Sequence, residues 1–266
     1  MSSQTVRAQI LTPPADGHVI RIPQYTLLAV AGIWAAAALP MAALAWLVAP
    51  RLASALSGPV PLGQALLICL TVGLVWQFVL VLGLEGIEQR SLHWSVLRQA
   101  LWLQAPRSPR TGGRGGRTWL ILLPLTAAFY AVHAVRFLPR LPYPAARDFG
   151  SLPGSHAGSQ LLHGNWGWFA LIVAMFLFNT VLGEELLFRG FLLPRMNGAF
   201  GSRDWLANGI LFACYHLHEW WVIPTTLLDT FILAYPSKRY RSAWIGITVH
   251  SSQSIFFTAL LLRLVL

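Results

Sequence analysis

The sequence predicts an all-α, polytopic membrane bundle of about seven spans with its N-terminus in the cytoplasm. Three observations lead there. First, 56% of the residues are hydrophobic and 11% charged, against about 25% charged in an ordinary soluble domain. Mean hydropathy is +0.58. Second, the apolar residues form long continuous runs without strand-like alternation. In hydrocarbon such runs must be helices, since no solvent satisfies the backbone there. Third, the 19 Lys and Arg residues lie between these runs and favour one side. With a span consuming about 20 residues, 266 residues suit one such bundle.

The elements follow in order. Residues 1–24 are polar, with Pro13, Pro14 and Pro23, and read as a loop. They are not a signal peptide, because the apolar stretch that follows is too long and more spans come after it. The first span covers about 27–49, with a kink at Pro40. The second covers about 62–84. A basic segment, 85–117, comes next. Within it Leu92, Val96, Leu97, Ala100 and Leu101 recur with helical period, which predicts an amphipathic helix on the membrane surface over 91–104. The remainder, rich in Pro, Gly and Arg, predicts a loop. A third span, about 119–138, leads to an external loop over 139–164. The fourth starts near Trp166 and is interrupted after Gly183 by Glu184, Glu185 and Arg189. The fifth, sixth and seventh fall at about 205–216, 221–235 and 243–264. Two regions are expected: an N-terminal one, 1–164, and a C-terminal helix bundle, 165–266, that carries the chemistry.

Counting Lys and Arg sets the orientation. A cytoplasmic N-terminus puts 14 of them inside, and leaves Arg51, Arg136, Arg140, Arg147 and Arg263 outside. The formal charge of +10 and pI of about 10.8 would by themselves suit a nucleic-acid partner. The basic residues border membrane spans instead of covering a soluble face, so no nucleic acid is expected. The lipid bilayer is the expected surrounding. Cys69 and Cys214 lie inside apolar runs without metal-type spacing and read as small buried apolar residues.

A charge inside a bilayer costs about 2.5–3.5 kcal/mol even on the lenient insertion scale, so Glu184 and Glu185 at the end of an apolar helix need a reason. Glu185 and Arg189 are four apart and share a helix face, where they can pair. Glu184 is rotated away from that pair and is free for another task. Alone, this motif would equally suit a structural ion pair. Two histidines add to it: His216 closes the fifth span and His250 lies within the seventh. Brought together, a carboxylate and a neutral imidazole can activate water, and a further donor can stabilise an oxyanion. The other histidines, His18, His93, His133, His156, His163 and His218, read as surface or structural, with His218 turned away from His216. Asp229, in the sixth span, is a cap, an interhelical partner or a cavity residue.

Glu184-Glu185-x-x-x-Arg189, Phe212-x-x-x-His216 and His250-x-x-x-Ser254, in this order on successive helices, resemble the motifs of the CPBP family. That family includes type II CAAX-prenyl endopeptidases and bacterial bacteriocin-processing or self-immunity membrane proteins. The resemblance covers about 166–264, including Ser242 to Ile247 on the approach to His250. It implies an intramembrane glutamic-type endopeptidase. By it Glu184 is the principal base, paired with His216. Glu185 and Arg189 support the site, Phe212 packs beside His216, and His250 helps to form the oxyanion site. No cofactor is implied; zinc is the alternative, though H-E-x-x-H is absent. The expected substrate is a membrane-associated peptide or protein, and the expected location a bacterial plasma membrane. The family usually has Asn where this chain has Ser254, whose hydroxyl reaches less far; Gln253 precedes it. That departure keeps open a non-catalytic immunity or scaffold protein that binds a peptide in the same cavity. A transporter or proton relay is a third reading, against which the sequence shows no duplication.

Overall fold

The computed structural model describes residues 9–10, 20–134, 141–147 and 154–266. Apart from a two-residue antiparallel ribbon, β1 (Gln9–Ile10) with β2 (Arg21–Ile22), and an isolated bridge, its regular structure is helical. Two long helices open it, α1 (Leu27–Ala53) and α2 (Pro61–Gln89). Short helices follow: α3 (Trp94–Ala100), α4 (Leu122–Ala134) and α5 (His156–Leu162). The C-terminal part holds α6 (Trp166–Arg195), α7 (Asp204–Tyr215), α8 (residues 230–240) and α9 (Ala243–Val265).

Four of these, α1, α2, α6 and α9, are long and apolar enough to cross a membrane. The expected third, fifth and sixth spans are shorter. Helix α4 has 13 residues and α7 has 12. The sixth is broken into a 3-10 turn (Leu217–Val222), a short helix (Ile223–Thr226) and α8. The end of the third span, and most of residues 1–19, lie outside the described residues.

Local chemistry explains several boundaries. Thr26 caps α1 by accepting from the Ala29 amide, and Asn165 caps α6 by accepting from Trp168. Pro61 opens α2, where its missing N–H costs nothing. Pro40 sits inside α1, and the helix widens to a π turn at Leu44–Val48 just after it.

Three expectations are corrected. The fourth span is not interrupted at Glu184: α6 runs on to Arg195, because its widened π turns at Phe178–Gly183 and Leu186–Leu192 carry the polar residues without breaking the helix. The second span does not stop at residue 84 but continues to Gln89, so Glu85 and Glu88 are helix residues and not loop residues. Helix α3 turns most of its apolar stripe inward and not to lipid: Val96, Ala100 and Leu101 are buried in the protein, while Leu92 stays exposed.

Buried charge explains the extended α2 and α6. Arg195, fully buried, closes α6. Its guanidinium donates to Glu85 Oε1 at 2.6 Å and to Glu88 Oε2 at 2.7 and 2.9 Å, and also to the Phe191 and Ala100 carbonyls. Tyr25 donates its hydroxyl to Glu88, and its amide to the Arg195 carbonyl at 2.8 Å. Arg189 is likewise buried inside the bundle. Two of the arginines assigned to cytoplasmic loops are therefore internal.

The N-terminal helices wrap the C-terminal ones. Helix α2 lies along the Phe178–Gly183 stretch of α6, and α9 packs on both α6 and α4. Gly183 permits the first contact: a methyl there would stand 3.1 Å from the Leu74 carbonyl of α2.

Removing Arg195 strands Glu85 as an unpaired buried carboxylate. Arg195→Ala should lose about 3–5 kcal/mol, read as a lower unfolding midpoint in detergent. The same change at exposed Arg203 should move it little.

Candidate active site

The site assembles from α6, α7 and α9. On α6 the π turns flank the two glutamates. Each such turn holds an extra residue and is frequent at functional positions. Glu184 is 3% exposed, and Glu185 and Arg189 are fully buried. The pairing expected from helical spacing forms: Arg189 Nη1 stands 3.2 Å from Glu185 Oε1. That same oxygen lies 3.0 Å from His250 Nδ1 on α9. Its partner oxygen, Oε2, accepts nothing among the described residues.

Gly246 makes the close approach of α9 possible. A Cβ there would run into Glu185 Oε2 and come within 3.2 Å of Arg189 Cγ. The guanidinium of Arg189 lies over the Phe212 ring at 3.9 Å. Its nitrogens make no hydrogen bond of good geometry among the described residues, so the contact with Glu185 is an ion pair only.

Phe212, on α7, is the common wall. The rings of His216 and His250 lie 5.1 and 6.2 Å from its centroid. Helix α7 ends at Tyr215, and the chain turns out of helical geometry at His216. His216 Nδ1 is 3.0 Å from the Phe212 carbonyl. A carbonyl only accepts, so Nδ1 carries the proton and Nε2 keeps a lone pair. The same logic gives His250 a proton on Nδ1, facing the Glu185 carboxylate. These two atoms, His216 Nε2 and His250 Nε2, are the ring positions left for a ligand.

Glu184 is held by groups the sequence did not single out. With its amide oriented to donate, Asn179 reaches Glu184 Oε1 at 2.9 Å and Oε2 at 3.1 Å. The Tyr215 hydroxyl, near Glu184, accepts from Gln77 Nε2 of α2 at 2.6 Å. A bond accepted there leaves the Tyr215 proton free to donate. The signal available in sequence was polarity inside a span: Gln77 and Asn179 both interrupt apolar runs.

One histidine expectation changes. His218 is buried, and its ring stacks on His216 at 5.5 Å and 23°. It does not point away, because the helix that would have turned it ends at Tyr215, three residues before it. His133 Nε2 lies 3.2 Å from Asp229 Oδ1, which makes Asp229 an interhelical partner. Phe129, one turn before His133, touches the rings of both His133 and His250, at 4.4 and 5.9 Å. Ser254, one turn beyond His250, is half-buried and makes no hydrogen bond among the described residues. No group of three His, Cys, Asp or Glu side chains that could hold a metal occurs among the described residues.

Residues 165–256 match the family model of the Type II CAAX prenyl endopeptidase, Rce1-like. This C-terminal stretch is thus similar to type II CAAX prenyl endopeptidases, and Glu184, Glu185, Arg189, Phe212, His216, His250 and Ser254 all fall inside the matched residues. No curated protein and no solved structure matches the chain.

Gly246→Ala tests the contact between α6 and α9. The added methyl displaces the Glu185 carboxylate and with it His250. A misplacement of about 1 Å costs about 100-fold in rate, so proteolysis should fall by that order while the purified protein stays folded. Full activity in the Gly246→Ala variant would contradict this geometry.

Proposed function

We propose, from the similarity of residues 165–256 to type II CAAX prenyl endopeptidases, that this protein hydrolyses a peptide bond of a membrane-associated protein or peptide with a water activated by Glu184 and His216. The observation that carries the reading is the convergence of α6, α7 and α9 on one buried stack. Arg189 over Phe212 is flanked by Glu185, His216 and His250.

In the proposed step, Glu184 takes a proton from a water that also bonds His216 Nε2. The resulting hydroxide adds to the peptide carbonyl carbon, and the C=O electron pair moves onto oxygen. As the C–N bond breaks, the proton passes from Glu184 to the departing nitrogen, leaving a carboxylic acid and an amine, between which the acid proton then passes to give carboxylate and ammonium. His250 donates from Nε2 to the oxyanion when both its nitrogens carry protons, with Glu185 balancing that charge. Ser254 is the proposed second donor, with a shorter reach than the Asn usual in the family. Gln77, Tyr215 and Asn179 hold the Glu184 carboxylate in place.

Electrostatic inventory supports this assignment. A buried Arg189 without well-formed hydrogen bonds and an unmatched Glu185 oxygen are unusual, since buried polar groups are normally paired. Both belong to the buried support beneath His216 and His250, whose remaining ring nitrogens are the groups proposed to meet the substrate. The proposed setting is a bacterial plasma membrane, with cleavage near the cytoplasmic face. At about 1.5 Å per residue, Glu184 lies roughly 27 Å along α6 from Trp166, and the hydrocarbon is about 30 Å thick.

Ser254 in place of Asn favours a second reading, a non-catalytic immunity or scaffold protein that binds a peptide in the same cavity. Glu184→Gln separates the two. An enzyme should lose about 10²–10⁴-fold in rate, whereas a binder should keep its function. Comparing membrane proteomes of wild-type and Glu184→Ala cells names the substrate, as precursors that accumulate only in the variant. Equal processing in both would refute hydrolysis. Since the proposed step uses protein groups alone, strong chelators should leave the rate unchanged.

A further inference from the structure

Four span ends meet on one side of the bundle. The start of α1 is tied to the end of α6 by the bond from the Tyr25 amide to the Arg195 carbonyl. The end of α2 joins them through Glu85 and Glu88. The start of α9 joins the chain after α3 through the bond from the Ala243 amide to the Trp102 carbonyl at 2.9 Å.

On this side, two segments far apart in sequence are fastened together. Ser242 Oγ donates to the Gln104 carbonyl at 2.6 Å, and the Arg107 amide donates to the Tyr240 carbonyl at 2.8 Å. Arg107 also pairs with Arg114 in an antiparallel bridge. Gly112, at φ of 71°, lets the chain fold back between them, and Gly115, at 73°, follows directly after Arg114. The basic stretch expected to be a loop is thus a built turn, docked on Tyr240.

That turn gathers like charges. Arg98, Arg107, Arg114 and Arg241 are all exposed. Among the described residues none of them forms an ion pair, and the nearby carboxylate of Asp204 is taken by Lys238. Partial desolvation, and then the charges of Arg107, Arg241 and Arg98, hold the Arg114 guanidinium below its usual range. Such clustering is unfavourable unless an anion offsets it.

We propose that Arg98, Arg107, Arg114 and Arg241 form a binding site for the phosphate headgroup of an anionic phospholipid. Its position argues for a lipid over a soluble anion. The cluster sits at the level where the spans end, and Trp94 and Leu92 beside it are 59% and 50% exposed. An aromatic and an aliphatic side chain at that level suit the acyl boundary below a headgroup. Occupancy there bears on the start of α9, the helix that carries His250.

The test uses the full-length protein in neutral phosphatidylcholine nanodiscs, titrated with phosphatidylglycerol and read by native mass spectrometry as lipid retained. Wild type should retain phosphatidylglycerol over phosphatidylcholine, and high salt should erase the preference. Each arginine removed should weaken retention roughly fivefold. Arg98→Gln/Arg241→Gln, whose side chains make no backbone bond that holds the turn, keeps the test valid should Arg107→Gln/Arg114→Gln fail to fold. Arg51→Gln, at the other end of α1, should behave as wild type. Undiminished preference in the Arg98→Gln/Arg241→Gln protein would overturn the site. So would displacement of the lipid by inorganic phosphate at equal concentration, since the ligand would then be a free anion.

Discussion

One carboxylate oxygen, Oε1 of Glu185, stands between a guanidinium on its own helix and an imidazole on another. A charge at this depth requires partners, because an unpaired buried ion costs several kcal/mol. Satisfying it fixes the rotation of α6 and the register of α9, and demands a residue without a side chain at position 246. Phe212 then fits against the Arg189 plane, and with it come His216 and the end of α7. The site is thus organised around a support residue, and its proposed base, Glu184, occupies the next position along the same helix.

Helix α6 carries two buried arginines of contrasting character. Arg195 has a partner for each of its nitrogens, drawn from Glu85, Glu88, Phe191 and Ala100. It is a structural node, holding the N-terminal stretch, α2 and α6 at one end. Arg189 has an ion pair and an aromatic face but no well-formed hydrogen bond. Two residues of the same type, less than two turns apart, differ in what is left for a ligand. The unfilled one belongs to the Glu184-Glu185-x-x-x-Arg189 pattern at the candidate site.

What the sequence made legible was local. The apolar runs marked the long helices, and i,i+4 spacing was enough to pair Glu185 with Arg189. Long-range partnerships were not legible: nothing in residues 85–88 announces Arg195, and nothing near Gln77 announces Tyr215. Such contacts depend on how α2 lies along α6, which periodicity does not encode. His218 was misread for another reason. Its direction was inferred from a helix that ends before reaching it, and a C-terminal boundary one or two residues off is enough to invert a side chain. The interruption expected at Glu184 failed because a helix can absorb polar residues by widening its turns, an option invisible to a hydropathy profile.

Widened turns also let α6 absorb a change of length. The Phe178–Gly183 stretch holds one residue more than an α-turn would. Deleting one residue there would let the ladder relax to ordinary α geometry with the helix beyond it still nearly in phase. Glu184 and Glu185 would keep their directions, and Arg195 its two carboxylates. In an ordinary α turn the same deletion would swing everything downstream by about 100°, so single-residue length differences among natural relatives should fall in the widened stretches of this helix.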